Sequence, residues 1–144
     1  METPGKEIEF DVIKENWTKY QLRDDTVLRV RIAVLKVVEE GIGEVGFPNF
    51  RVATHNLLSA LVPDKLKGPP SSDQKLTPTD IQEGTELTFD RMGTVQWQEY
   101  SLSTGWILMI KPEVAKVIRT KKYNNEREPI YWANIQAIMN VKKA

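Results

Sequence analysis

An internal repeat with a spacing of 80 residues is the feature of this sequence that most restricts its fold. Residues 17–38 align without gaps on residues 97–118, and the matched residues include a tryptophan. The identical pairs are Trp17 and Trp97, Tyr20 and Tyr100, Leu22 and Leu102, Leu28 and Leu108, Val34 and Val114, Lys36 and Lys116, and Val37 and Val117. This density of identities in a short window indicates a duplicated unit.

With one residue of slippage, the similarity extends over about 55 residues in each copy. The predicted organisation is an N-terminal tail at 1–7, a β repeat at 8–62, a Pro/Ser-rich linker at 63–86, a second β repeat at 87–141 and a C-terminal tail at 142–144. Because a unit of this size buries too little apolar surface to be stable alone, we expect the two repeats to form one compact unit.

The linker at 63–86 is rich in proline, serine and charged residues, as is typical of a solvated connection. We expect that residues 67–75 can be removed with little effect on folding, because loop length changes closure entropy only slowly. The alternative is a short helix that starts at Pro78, is capped by Thr77 and ends by Gly84.

Within each repeat the hydrophobic pattern has the period of a β-strand. Apolar side chains at 28, 30, 32 and 34 alternate with Arg29 and Arg31, and the second copy repeats the pattern from Leu108. Pro112 interrupts the second strand and predicts an edge or a bulge there. The end of each repeat, residues 56–62 and 136–141, is interpreted as another strand, with a helical turn as the alternative.

Four to five short strands per copy, without amphipathic helices, predict an all-β protein. We expect a pseudo-twofold barrel or sandwich built from the two tandem repeats. Two tandem small β-barrels are the alternative.

The residue composition excludes several classes of functional site. The 144 residues include 20 basic and 20 acidic side chains and no cysteine, which excludes disulfides, thiolate nucleophiles and cysteine-zinc sites. The chain shows neither a membrane-spanning apolar run nor a signal-peptide pattern, so we expect a soluble, cytoplasmic protein without membrane partners.

Motifs for cofactor binding and catalysis find little support. Gly41, Gly43 and Gly46 match G-x-G-x-x-G, but a hairpin return follows instead of a helix, so we interpret them as a flexible hairpin tip and expect no cofactor. His55 is the only histidine, and we interpret it as a side chain at a strand end. Asp11 and Asp90 are equivalent by repeat and could form a carboxylate pair, although capping of turns is favoured. We expect no metal and no catalytic residues, and the sequence favours a protein that is not an enzyme.

Lys36 and Lys116 are retained in both copies, and counting by twos places them on the apolar face of their strands. Such a pair could bind an anion, but a lysine that marks where a strand leaves the core is the more common case. The paired tryptophans, Trp17 and Trp97, are interpreted as core and rim packing.

The hairpin predicted in the second repeat, with a polar tip at residues 119–128 and a returning strand at 130–134, is called the second hairpin and combines basic and aromatic side chains. Together with Lys36, the candidate binding residues are Lys116, Arg119, Lys121, Lys122, Tyr123 and Arg127. Cations that contact phosphates and rings that stack on bases would suit a nucleic acid, although nearby glutamates dilute the signal.

The leading hypothesis is a non-catalytic binding or assembly module. It would use hairpin tips and strand edges to contact a protein partner or further copies of itself. The alternative hypothesis is a nucleic-acid-associated β module that uses the second hairpin.

Overall fold

The computed structural model describes residues 5–43, 46–94 and 96–144. Ten strands make up most of it. The first half of the chain contains β1 (Lys6–Ile8), β2 (Phe10–Lys14), β3 (Thr18–Leu22), β4 (Val27–Ile42) and β5 (Pro48–Leu61). The second half contains β6 (Thr85–Leu87), β7 (Phe89–Met92), β8 (Gln98–Leu102), β9 (Trp106–Tyr123) and β10 (Pro129–Lys143). The predicted all-β class is confirmed. The final stretch of each repeat is strand, but it continues the returning strand as part of β5 or β10 and does not form another strand.

The strands form two antiparallel sheets that pack face to face as a sandwich. In sheet A, β4 pairs along its length with β5 and on its other side with β3 and β1, while β7 pairs with β3. In sheet B, β9 pairs with β10, β8 and β6, and β2 pairs with β8. The two halves of the chain therefore have the same pairing pattern and exchange one strand, since β2 lies in sheet B and β7 in sheet A.

Both clusters of the hydrophobic core draw residues from both halves of the chain. One contains Ile8, Ile32, Val37, Tyr100, Leu102, Leu108 and Ile110. The other contains Tyr20, Leu22, Leu28, Val30, Leu87, Val114 and Val117, of which all but Val114 are the repeat counterparts of residues in the first cluster. The fold is thus one sandwich and not the alternative of two tandem barrels. Descent from a duplicated unit remains a sequence-based interpretation.

A β-bulge corrects the expected position of the two retained lysines. The pairing of β4 with β5 skips Leu35, and that of β9 with β10 skips the equivalent residue, Ala115. Each extra residue shifts the alternation of side chains by one. Lys36 and Lys116 are therefore exposed instead of facing the core.

Pro112 in β9 occupies the position at which β4 has Ile32, whose backbone groups are hydrogen-bonded by a side chain instead of a neighbouring strand. Pro112 corresponds to Ile32, which lies between the stretches of β4 that pair with β3 and β1. The buried side chain of Gln98 accepts a hydrogen bond from Ile32 N–H at 3.0 Å and donates one to Ile32 C=O at 2.6 Å. Pro112 has no N–H that would need such a partner, which explains how a buried proline is tolerated inside a long strand.

The connection between the halves, residues 62–84, packs against the second hairpin. It contains one turn of 3₁₀ helix, Asp64–Leu66, and a five-residue helix, α1 (Pro78–Gln82), capped by Thr77. The short helix considered from the sequence is confirmed. Gly68 N–H donates to Arg127 C=O and Ser71 N–H to Tyr123 C=O, each at 3.0 Å. The expectation that residues 67–75 are merely solvated is wrong, because this stretch supplies partners to the hairpin backbone.

Candidate binding surface at the edge strands

Two long strands have one edge without a partner. Among the described residues, β5 pairs only with β4, and β10 pairs only with β9. The strands contain 14 and 15 residues, and their free edges present unpaired backbone N–H and C=O groups. We call these two edges together the edge surface.

The central stretches of β5 and β10 lack the charged residues and prolines that usually prevent strands from pairing with other chains. Neither β5 nor β10 contains an aspartate or glutamate. Residues 52–61 and 130–141 also contain no lysine, arginine or proline. Exposed edges are commonly blocked by charge, proline or short length. The central parts of both strands are therefore open to strand addition.

Both free edges lie on the same side of the sandwich. Phe50 and Val52, near the start of β5, pack in one core cluster with Val141, near the end of β10. Ala60, near the end of β5, packs in the other cluster with Tyr131, near the start of β10. The two edge strands consequently run alongside each other in opposite directions, one in each sheet.

An apolar cleft of about 400 Å³ opens at one end of this surface. Its lining residues are Phe47, Pro48, Asn49, Phe50, Val52, Leu108, Met139, Asn140 and Val141. The ring of Phe47 contacts that of Trp106 edge-to-face, with centroids 5.5 Å apart. Phe47 and Met139 are 47% and 48% exposed, so the cleft offers apolar side chains to a ligand.

The equivalent region at the other end of the sandwich is occupied by a polar network. Tyr131, the counterpart of Phe50, donates to Asp24 Oδ2 at 2.7 Å and lies 2.8 Å from Thr26 Oγ1. Arg119 Nη1 lies 3.0 Å from the same Asp24 oxygen. These side chains fill the region that corresponds to the cleft at the opposite end. The two ends of the sandwich therefore differ, although their strands have the same pairing pattern.

The network also shifts the pKa values of Asp24 and Tyr131. Burial alone would raise the pKa of Asp24, but the hydrogen bonds from Tyr131, Thr26 and Arg119 outweigh burial and lower that pKa. Burial raises the pKa of Tyr131, and its hydrogen bond to the Asp24 carboxylate adds to that increase. Asp24 is therefore held as a carboxylate at neutral pH.

The second hairpin tip, residues 124–128, is partly covered by the connection. Lys122 Nζ lies 2.9 Å from a carboxylate oxygen of Asp80 and donates to Lys75 C=O at 2.7 Å. Tyr123 N–H donates to Ser71 Oγ at 2.9 Å. Two of the residues assigned to a nucleic-acid interface are thus engaged within the chain.

Three other basic residues of the candidate binding set form ion pairs with carboxylates. Lys36 lies 3.2 Å from Glu7, Lys116 lies 3.2 Å from Glu86, and Arg119 is held by Asp24. The two remaining members of the set, Lys121 and Arg127, are exposed. The structure does not gather these residues into one cationic surface. The nucleic-acid interface remains a sequence-based hypothesis, and these contacts do not favour it.

The paired tryptophans lie outside the core. Trp17 and Trp97 are half-buried on the outer faces of their sheets, whereas Tyr20 and Tyr100 fill the core. The Arg29 and Arg31 guanidiniums lie 4.9 and 4.8 Å from the Trp17 ring centroid. Lys111, the counterpart of Arg31, lies 4.6 Å from the Trp97 ring. Cation–π contacts thus explain the conserved spacing of these residues between the copies.

The remaining candidates do not form a site. His55 is exposed on β5, and Asp11 and Asp90 lie on strands of different sheets instead of at turns. Gly41 and Gly46 adopt positive φ at the first hairpin tip, while residues 44 and 45 of the glycine motif lie outside the described residues. In the described part of the chain, no three histidine, aspartate or glutamate side chains are placed to hold a metal.

Comparisons with known protein families, with curated proteins and with solved structures give no match for this chain. The described residues contain no helix with the length and apolar character needed to cross a membrane.

The edge surface has a signal in the sequence, although the motifs point to the charged second hairpin instead. Residues 48–61 and 129–143 contain no acidic side chain in a chain with 20 of them.

Proposed function

We propose that this chain is a non-catalytic binding module that adds a β-strand of a protein partner to its edge surface. The observation that carries the proposal is the pair of long, unpaired edges on β5 and β10, whose central stretches, 52–61 and 130–141, contain no acidic residue, lysine or arginine. In strand addition, main-chain hydrogen bonds supply affinity and pockets beside the strand supply specificity. The apolar cleft beside Phe47 and Met139 is such a pocket at one end of the surface.

A labelled peptide with the sequence of residues 129–143 tests this proposal. The peptide is itself a strand that pairs antiparallel with a neighbour in this fold. We expect saturable binding to the intact protein, measured by fluorescence anisotropy. A peptide carrying Gln136→Pro should bind at least about tenfold more weakly, because proline removes a main-chain donor from the new ladder.

Two matched protein variants locate the binding. Met139→Lys places a charge on the β10 edge strand, whereas Val12→Lys places the same charge on β2, at the opposite margin of sheet B. Both wild-type side chains are exposed, at 48% and 54%. Peptide affinity should fall only for Met139→Lys. Absence of saturable binding, or equal binding of the proline peptide, would contradict the proposed function.

A further inference from the structure

We infer that the strand partner is a second copy of this chain, which covers both edges of the surface at once in a symmetric dimer. This inference rests on the proposed function and specifies the partner. A single added strand would leave one of the two edges unpaired. A second copy carries both edges at the same separation and can therefore cover both together.

The geometry suits a twofold axis perpendicular to the sheets. Because β5 and β10 run in opposite directions, the start of each strand lies beside the end of the other. The middles of the two strands, near His55 and Gln136, therefore lie at the same height along the sandwich. A rotation of 180° about an axis near these residues places β5 antiparallel to its own copy and β10 antiparallel to its own copy. Each sheet of five strands would then continue into a sheet of ten.

Charge favours a second copy over a strongly charged partner. Isologous pairing sets the same strand opposite itself, so any charged residue near the axis would face a like charge or lie close to one. The central stretches, 52–61 and 130–141, contain no lysine, arginine, aspartate or glutamate, and therefore impose no such cost.

The available area is sufficient for association. A stretch of ten to twelve paired residues is roughly 35 Å long, and the two sheets lie about 10 Å apart, with side chains adding to the width. The footprint is on the order of 500 Å² per copy, or about 1,000 Å² in total, which is the lower bound for a specific interface. The cleft at Phe47 and Met139 opens on the same side and would add apolar contact.

The test is the molecular mass of the full chain in solution, measured by sedimentation equilibrium over a range of concentrations. We expect a monomer–dimer equilibrium. Leu58→Lys and Met139→Lys, at corresponding positions on the two edge strands, should each raise the dimer dissociation constant at least about tenfold. The double variant should be monomeric throughout the range, because each charge is buried without a partner. Val12→Lys should behave as wild type, and thermal melts of all variants verify folding.

The outcomes separate this inference from the proposed function. A wild-type chain that is monomeric yet binds the 129–143 peptide in a proline-sensitive manner overturns the dimer and leaves strand addition standing. A dimer that the folded double lysine variant retains uses another surface, and this also overturns the inference. A monomer that fails to bind the peptide overturns both.

Discussion

Asp24 is the side chain that distinguishes one end of the sandwich from the other. Its carboxylate accepts hydrogen bonds from Tyr131 and Arg119, and its other oxygen accepts one from Thr26 N–H at 3.0 Å. At the corresponding position, the second copy has Thr104. One acidic residue in a turn therefore closes the region that remains open as a cleft at the first hairpin tip.

Replacement of Asp24 by asparagine should destabilise the protein by about 2 kcal/mol at pH 7, because hydrogen bonds to a charged acceptor are lost. The folded-state pKa of Asp24 is lowered, so its contribution is complete above the unfolded pKa of about 4 and is lost as pH falls through the folded value. Urea unfolding at pH 7 and at pH 2–3 should show the gap between wild type and Asp24→Asn narrowing at the lower pH.

The neighbouring Asp25→Asn variant is the control for this prediction. Asp25 is exposed and has φ of 72°, a conformation that asparagine also tolerates. Its replacement should change stability by less than about 0.5 kcal/mol. An equal effect of the two variants, or a gap that widens in acid, would contradict the role given to Asp24.

Gln98 supports a second prediction at the residue scale. Gln98→Leu keeps the side chain near its original volume but leaves Ile32 N–H without a partner inside the core and leaves Ile32 C=O with only the long, 3.5 Å hydrogen bond from the Tyr100 hydroxyl. We expect a loss of about 2–4 kcal/mol, the cost of orphaned buried polar groups. Thr18→Val is the matched control, because Thr18 is the counterpart of Gln98 and makes no side-chain hydrogen bond among the described residues. A Gln98 variant as stable as that control would show that another group satisfies Ile32.

Strands are the elements that the sequence predicted best, since alternation of apolar residues depends only on local geometry. The period of two placed Leu28, Val30 and Ile32 in the core correctly. It failed at Lys36 and Lys116, because no residue type marks a bulge and the extra residue reverses every later position. The tryptophans were misplaced for another reason: a large ring does not have to point inward when cations cover it from outside.

The connection gives a prediction at the element scale. Deletion of residues 67–75 should destabilise the protein by about 1–3 kcal/mol, because three backbone groups of the second hairpin lose partners. Hydrogen exchange should accelerate at Tyr123 and around the second hairpin tip. Gly46 and Phe47, at the first hairpin tip, serve as the internal control and should keep their exchange rates. Unchanged melting and exchange would mean that these contacts contribute no stability.

The exchange of β2 and β7 between the sheets gives a prediction for the whole molecule. Because both core clusters need residues from both halves, fragments 1–66 and 67–144 should each be unfolded alone by circular dichroism. An equimolar mixture should regain β structure, since the fragments together carry every strand of both sheets. A fragment that melts cooperatively alone would show that one repeat is sufficient for a core.

The overall architecture could be predicted because a repeat of small β units with strict alternation has few ways to bury its apolar faces. The strand exchange could not, since the pairing partners of β2 and β7 depend on contacts across about 80 positions of chain. The edge surface was equally hidden, because only the sheet order shows that β5 and β10 have no outer neighbour among the residues that the structure describes. Residues 52–61 read as an ordinary strand until that order is known.

The strand exchange also has a consequence during synthesis. When the ribosome has completed β5, neither core cluster can form, because Tyr100, Leu108 and Val117 have not yet been made. At about 5–20 residues per second, residues 62–144 take roughly 4–17 s to be added. Throughout that interval, Leu28, Val30 and Ile32 remain uncovered, and β5 can form strand pairs with other nascent chains. The first half of this sequence is therefore open to intermolecular pairing until the second half has been made.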